Sequence, residues 1–319
     1  MKLRRMINLV RNENMKLAHS ISTWIMMGIL VAIIVIVGML FKFGNNQAPA
    51  SDWKADITIQ NQAIKESINQ PEMPKTQKDS LTKDLQTNEY RLKHDIQPIQ
   101  NNSLWGFVEG ASSSLIALIS LFAIVMGGRI VANEFSGGTI KLLLIRPSKR
   151  WKILLSKYLA VIGYILLMLL VLFLVSFLLG GILFSFKGAG IPYLTNANGK
   201  ITEVNMVAHI VQVYGLQCIG LLMMVTLAFM ISTVFHTSAM AIGIGVFLLT
   251  VGNGITMVLS KYTWSKYILF ANMDLNQYIN GRPLVEGMTM KFSIIVLIGY
   301  FIIFNAISYI GFTKRDIVA

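Results

Sequence analysis

Charge is what this chain is short of. Only 13% of its 319 residues are Asp, Glu, Lys or Arg, against roughly 25% in a soluble domain. A chain this long with so little charge cannot clothe a globule for water. Its apolar residues, 54% of the total, also come in blocks. Cysteine is nearly absent: Cys218 stands alone, which excludes an intrachain disulfide and a thiolate metal cluster. It lies inside an apolar block, where a small buried filler is the expected role. Acidic residues are also scarce, 15 against 28 basic, so the formal charge is +13. Such an excess can serve nucleic-acid binding. Here the lysines and arginines flank the apolar blocks, and there is no zinc spacing, RNA-binding aromatic motif or basic heptad region. No nucleic-acid partner is expected.

What the chain has instead is membrane spans. A crossing needs about 20 mostly apolar residues, and six blocks meet that length without one charged residue: 22–41, 110–128, 158–186, 210–235, 239–259 and 292–312. The third is long enough to tilt or to break near Gly180-Gly181. Only His236, Thr237 and Ser238 separate the fourth from the fifth, so a tight helical hairpin is expected there. These features predict an all-α integral membrane protein, a single membrane domain over residues 1–319.

Orientation follows from the lysine and arginine bias of short loops. With the N-terminus inside, the inner segments 1–21, 129–157, 236–238 and 313–319 carry 5, 7, 0 and 2 basic residues, against Glu13, Glu134 and Asp316. The outer segments are nearly balanced, so both termini are expected in the cytoplasm and the chain in the cell membrane. Ala48-Pro49-Ala50 resembles a signal-peptidase site, but the apolar run before it is too long and starts too late. An uncleaved anchor is expected.

The largest polar segment, residues 44–103, is expected outside the membrane. Ile57, Ile64 and Ile68 share one helical face, while Leu81, Leu85, Leu92 and Ile96 form a second stripe. Pro71 and Pro74 fall between them, which predicts an extracellular helical hairpin. In the N-terminal segment, Leu3, Ile7 and Val10 line one face with Arg4, Arg5 and Arg11 elsewhere, predicting a basic amphipathic helix in the inner interface. Residues 260–291 mix aromatics with Asn, Asp and Gln, which fits short helices dipping into the outer leaflet.

The inner loop 132–157, ANEFSGGTIKLLLIRPSKRWKILLSK, carries more order than the charge rule requires. Glu134 lies just past the second span, Gly137-Gly138 interrupts the helix, and Thr139 can cap the next one. Residues 140–145 form a short apolar helix that Arg146-Pro147 ends, since Pro147 disfavours helical geometry before it. Arg150, Lys152 and Lys157 are expected at the inner headgroups. A short rigid helix continuous at both ends with membrane helices can transmit force from a soluble partner.

This stretch resembles the coupling segment of type-2 ATP-binding-cassette (ABC) exporter permeases, which read Glu, Gly-Thr, a leucine run, then Pro and Arg. The matching positions are Glu134, Gly138, Thr139, Leu142, Leu143, Leu144, Pro147 and Arg150, with Arg146 beside them. Asn12-Glu13 and Lys16 are similar to the family's segment before the first span, and the six-span order also agrees. The roughly 60-residue first outer loop departs from many members. The resemblance implies six helices per permease, a second permease copy or paralogue, and a cytoplasmic ATPase dimer docking under the coupling helix, with membrane lipids around it. No cofactor is expected on this chain itself, which lacks a G-x-x-x-x-G-K-[ST] phosphate loop. ATP and magnesium would be held by the partner subunit, so the chain by itself is not expected to be an enzyme.

Other chemistry finds less support. Ion-coupled transporters carry ionisable groups within their spans; here Glu109 and Arg129 mark only the two ends of the second. His19, His94, His209 and His236 are scattered, so no shared metal or catalytic site is expected. Small polar side chains, Ser113 and Ser120 with Asn253 and Thr256, could line a pathway or serve helix packing. A non-transporting membrane protein, such as an immunity factor or assembly scaffold acting through the outer loop, is the alternative class.

Overall fold

The computed structural model describes residues 2–43, 53–70, 73, 75–137, 149–186, 190–197, 199–279, 281 and 283–313. It begins with helix α1 (Lys2–Ala18) and a two-residue break before α2 (Ile21–Phe43). Next come the short helices α3 (Trp53–Ile68) and α4 (Lys75–His94), then two long ones, α5 (Leu104–Ser136) and α6 (Arg150–Phe184). A ribbon of β1 (Tyr193–Ala197) and β2 (Lys200–Val204) precedes α7 (Met206–Phe235) and α8 (Ser238–Leu259). Two 3-10 turns flank the short α9 (Leu269–Met273), and α10 (Met290–Thr313) closes the order.

Six of these helices, α2, α5, α6, α7, α8 and α10, are long and apolar enough to cross a membrane. The protein is an all-α, multi-pass membrane protein. α6 runs unbroken through Gly180-Gly181. α5 ends where Gly137 caps it, its N–H bonded to the Asn133 carbonyl at 2.9 Å. Between α7 and α8 the chain reverses within two residues. His236 makes this turn with φ 58°, a left-handed helix end.

The spans are not equal. About 61% of the apolar stretch is buried in both α5 and α7, against 22% or less in α2, α8 and α10, so α5 and α7 form the centre. α2 shows the peripheral pattern: Thr23, Met26, Leu30, Ile34 and Gly38 make one buried stripe at helical spacing, while Ile25, Ile29, Ile36 and Leu40 are exposed. An apolar outward face suits lipid, since a surface facing acyl chains gains nothing from polarity.

At the centre, small residues let backbones approach. A Cβ added to Gly127 would stand 3.2 Å from the Ala228 Cβ and 3.3 Å from the Val225 carbonyl oxygen. One turn on, the Ser232 hydroxyl donates to the Gly128 carbonyl at 2.7 Å and accepts from the Ala132 N–H at 3.1 Å, splicing α7 into the backbone of α5. Toward the other end of the same two helices, Ser112 and Gln217 bond each other, the Gln217 amide donating at 2.9 Å.

α3 and α4 form the antiparallel hairpin that the two stripes imply, with Ile57 buried. The Asn88 amide donates to Asn61 at 3.0 Å, and Lys54–Asp95 and Lys65–Glu89 pair along the edges. Pro71 and Pro74 lie outside the described residues. The β-ribbon departs from the expectation of helices and loops alone, although Asn198-Gly199 between β-rich flanks is a strong hairpin signal. Its Gly199 has φ 78°, a conformation glycine adopts without Cβ strain.

Hairpin, ribbon and the segment before α10 interlock into one cap. The Asn196 amide of β1 donates to the Lys83 carbonyl and to Gln86, both at 3.1 Å. The Lys83 ammonium in turn donates to the Gly281 carbonyl at 2.6 Å. From α4, the Tyr90 hydroxyl donates to Glu203 of β2 at 3.0 Å, which holds the phenol above its ordinary pKa. Below the ribbon, Tyr193 stacks on His209 at 3.5 Å, and His209 Nε2 lies 3.4 Å from Glu109. The cap is thereby seated on the ends of α5 and α7.

Candidate functional site

Among the described residues, the strongest concentration of buried charge sits at the opposite end of the bundle, where α1, α5 and α6 meet. Lys157 occupies the third turn of α6. Expected at the headgroups, it is instead buried, with 2% of its side chain accessible. Its ammonium donates to Glu134 Oε1 at 2.6 Å and to Glu13 Oε2 at 3.0 Å. Lys16 closes the ring from the water side, 3.2 Å from Glu134 and 3.4 Å from Glu13.

Each member is delivered by a different local rule. Glu13 and Lys16 are i,i+3 on α1 and so share one helix face. Glu134 falls in the last turn of α5, just before Gly137 ends the helix. A carboxylate there opposes the helix dipole, so it is held by the lysines rather than by the helix. Lys157 points inward because its neighbours Ile153, Leu154 and Val161 are core residues. Two ammonium and two carboxylate groups give no net charge, the condition under which ions can be buried at all. Burial by itself lowers the Lys16 pKa, but Glu13 and Glu134 outweigh it and hold the group above its ordinary value.

Of the residues singled out in the sequence, Glu134 and Arg150 are placed at this end. Arg150 opens α6 and its guanidinium donates to the Thr313 carbonyl at 3.2 Å, the last residue of α10. A cation at a helix C-terminus satisfies an orphan carbonyl and complements the dipole. Gly138, Thr139, Leu142, Leu143, Leu144, Arg146 and Pro147 lie outside the described residues. Ser113 is exposed and its hydroxyl turns back to the Glu109 carbonyl at 3.0 Å. Ser120 and Thr256 are buried and likewise bond within their own helices, to Ile116 and Gly252. Asn253 has no described side chain.

Lys157, Glu13 and Lys16 are not among the coupling residues that the sequence predicts. Glu13 and Lys16 stand out there only by likeness to the family's segment before the first span, and Lys157, 144 positions from Glu13, looks like an ordinary inside charge. The signal that could reveal Lys157 is its neighbourhood: it is flanked by the apolar stretches 153–155 and 158–174, an unusual place for a solvated lysine.

One relative extends over nearly the whole chain and a second over about two thirds of it. A Bacillus subtilis (strain 168) sequence described as "Uncharacterized protein YhcI" is 41% identical over 318 residues, covering 98% of this chain and 99% of its own length. A second from the same organism, "Uncharacterized membrane protein YdbK", is 32% identical over 207 residues, covering 64% of this chain and 80% of its own length. Residues 79–318, from α4 through the end of α10, match DUF2705, described as a protein of unknown function. The chain therefore belongs to the DUF2705 family.

Proposed function

We propose that this chain is the membrane-spanning permease subunit of an ABC exporter, set in the cell membrane with both termini in the cytoplasm. It moves a substrate out of the cell or between leaflets, using ATP hydrolysed with magnesium on a separate ATPase dimer. A second permease copy or paralogue completes the pathway. The observation that carries this reading is the Lys157 junction. It ties together α1 and the two helices that flank segment 138–148, the stretch resembling a coupling segment. A push on that segment would reach α5 and α6 as one unit, with Arg150 joining α10 to it through Thr313. In this scheme Glu134 anchors the near side of the segment. Gly138, Thr139 and Leu142–Leu144 meet the ATPase, while Arg146, Pro147 and Arg150 set its far end.

The test is purification from the native host followed by ATPase assay in reconstituted vesicles. The expected result is co-purification with an ATPase whose turnover falls on Glu134→Ala or Gly138→Pro. Unaltered coupling in both variants removes these residues from the mechanism. An ATPase-free preparation active by itself overturns the exporter reading. It would favour the second one, a non-transporting membrane protein acting through its outer loop. The docking of hairpin on ribbon supports that alternative, because it presents a built surface beyond the spans.

A further inference from the structure

An open groove with a cavity volume of about 550 Å³ runs between α1 and α6. Met6, Ile7, Val10, Met15 and Leu159 make its lining mostly apolar, and Arg11 and Asn14 are its polar members. The geometry points to a binding site for an anionic phospholipid, with one acyl chain along the groove and the headgroup phosphate on Arg11.

Depth argues first. Glu13 of α1 reaches Lys157, seven residues into α6, so α1 lies beside the early turns of that span rather than above it. Leu159 stands about 12 Å along α6 from Trp151 at the helical rise of about 1.5 Å per residue. Trp151 and Trp24 are both exposed large aromatics at the starts of their spans, and such indoles mark the headgroup level. The Trp24 indole also donates to the Ala18 carbonyl at 2.8 Å, fixing the end of α1 at that level. The groove therefore opens at the headgroups and runs toward the acyl region.

Charge complementarity selects the occupant. Arg11 lies about 160° around the helix from Glu13 at about 100° per residue, so the face that pairs with Lys157 is not the face lining the groove. Arg11 is exposed and forms no ion pair with another described residue. Arg4, two turns earlier on the same side, is exposed as well. Guanidinium groups bind phosphate with paired donors. The apolar walls require a tail attached to that phosphate, which a soluble anion lacks. This assignment does not depend on the transport reading.

The test titrates purified full-length protein in detergent with dioleoyl phosphatidylglycerol, dioleoyl phosphatidylcholine or glycerol phosphate, reading bound lipid by native mass spectrometry. Phosphatidylglycerol should bind more tightly than phosphatidylcholine, and Arg11→Gln should weaken it about fivefold, the scale of one basic residue at an anionic surface. Arg11→Lys should fall between the unaltered protein and Arg11→Gln, keeping the charge but losing the paired donors. Lys42→Gln, which removes the same charge at the far end of α2, should change nothing. Val10→Asp should weaken both lipids by spoiling the groove. Equal binding of the two lipids, an unaffected Arg11→Gln, or glycerol phosphate competing as well as the lipid would each overturn the site.

Discussion

The Lys157 ammonium donates to the Glu134 carboxylate at 2.6 Å from a position where almost none of its side chain meets solvent. With Glu13 at 3.0 Å on its other side, this one lysine holds three helices at a single point. Its removal has a defined consequence. Lys157→Met leaves two carboxylates facing each other in a partly desolvated pocket, and breaking a buried pair costs roughly 3–5 kcal/mol. A large drop in melting temperature is expected in detergent. Lys157→Met combined with Glu13→Gln and Glu134→Gln should recover most of it, because the one charge of the ring then left, on Lys16, reaches solvent. Equal melting of the single and triple variants would show that packing, not charge, governs the junction.

Close approach of α5 and α7 depends on Gly127, whose added Cβ meets the α7 backbone at Val225. Gly127→Leu should separate the two central helices and cost at least the roughly 1–3 kcal/mol typical of overpacking. Gly163 on α6 has nothing within 4 Å of an added Cβ. Gly163→Leu should therefore be nearly neutral, and size-exclusion profiles with melting curves compare the two directly.

Hairpin docking rests on a few polar contacts. Asn196→Ala and Lys83→Met together remove the bonds to Lys83, Gln86 and Gly281. At about 0.5–1.5 kcal/mol net for each hydrogen bond, the pair should loosen α3 and α4 without melting the spans. Faster amide exchange and protease cleavage within residues 75–94 would report it, with the main melting transition little changed.

Arg150 joins the start of α6 to the end of α10 through the Thr313 carbonyl. Arg150→Gln should weaken that end by about 1–2 kcal/mol, combining a charge-assisted bond with the dipole interaction. Hydrogen exchange should rise in the last turn of α10 and stay unchanged in its first turns. Protection lost evenly along the whole helix would point to a broader role.

Cap and junction differ in how far the sequence discloses them. The hairpin is readable because Ile57, Ile64 and Ile68 on one helix and Leu81, Leu85 and Leu92 on the next repeat at the helical period. The ribbon is also written locally, in Asn198-Gly199 and its flanks, but the long apolar spans on either side mask so short a signal. Neither its seating on His209 nor the bond from Lys83 to Gly281 can be read from spacing. The bond from Lys83 joins positions 198 apart, and no local period encodes it.

By itself, then, the sequence determined the class of solvent this protein lives in and the number of helices long enough to cross it. Those are properties of composition and run length: an uncharged apolar stretch of about 20 residues needs lipid wherever its neighbours lie. Only the tertiary structure decided which spans form the centre and which charges leave the surface. Lys157 looks like any inside lysine until α1 and α5 bring carboxylates against it. The energy of burying an ion depends on what surrounds it in space, which distance along the chain does not specify.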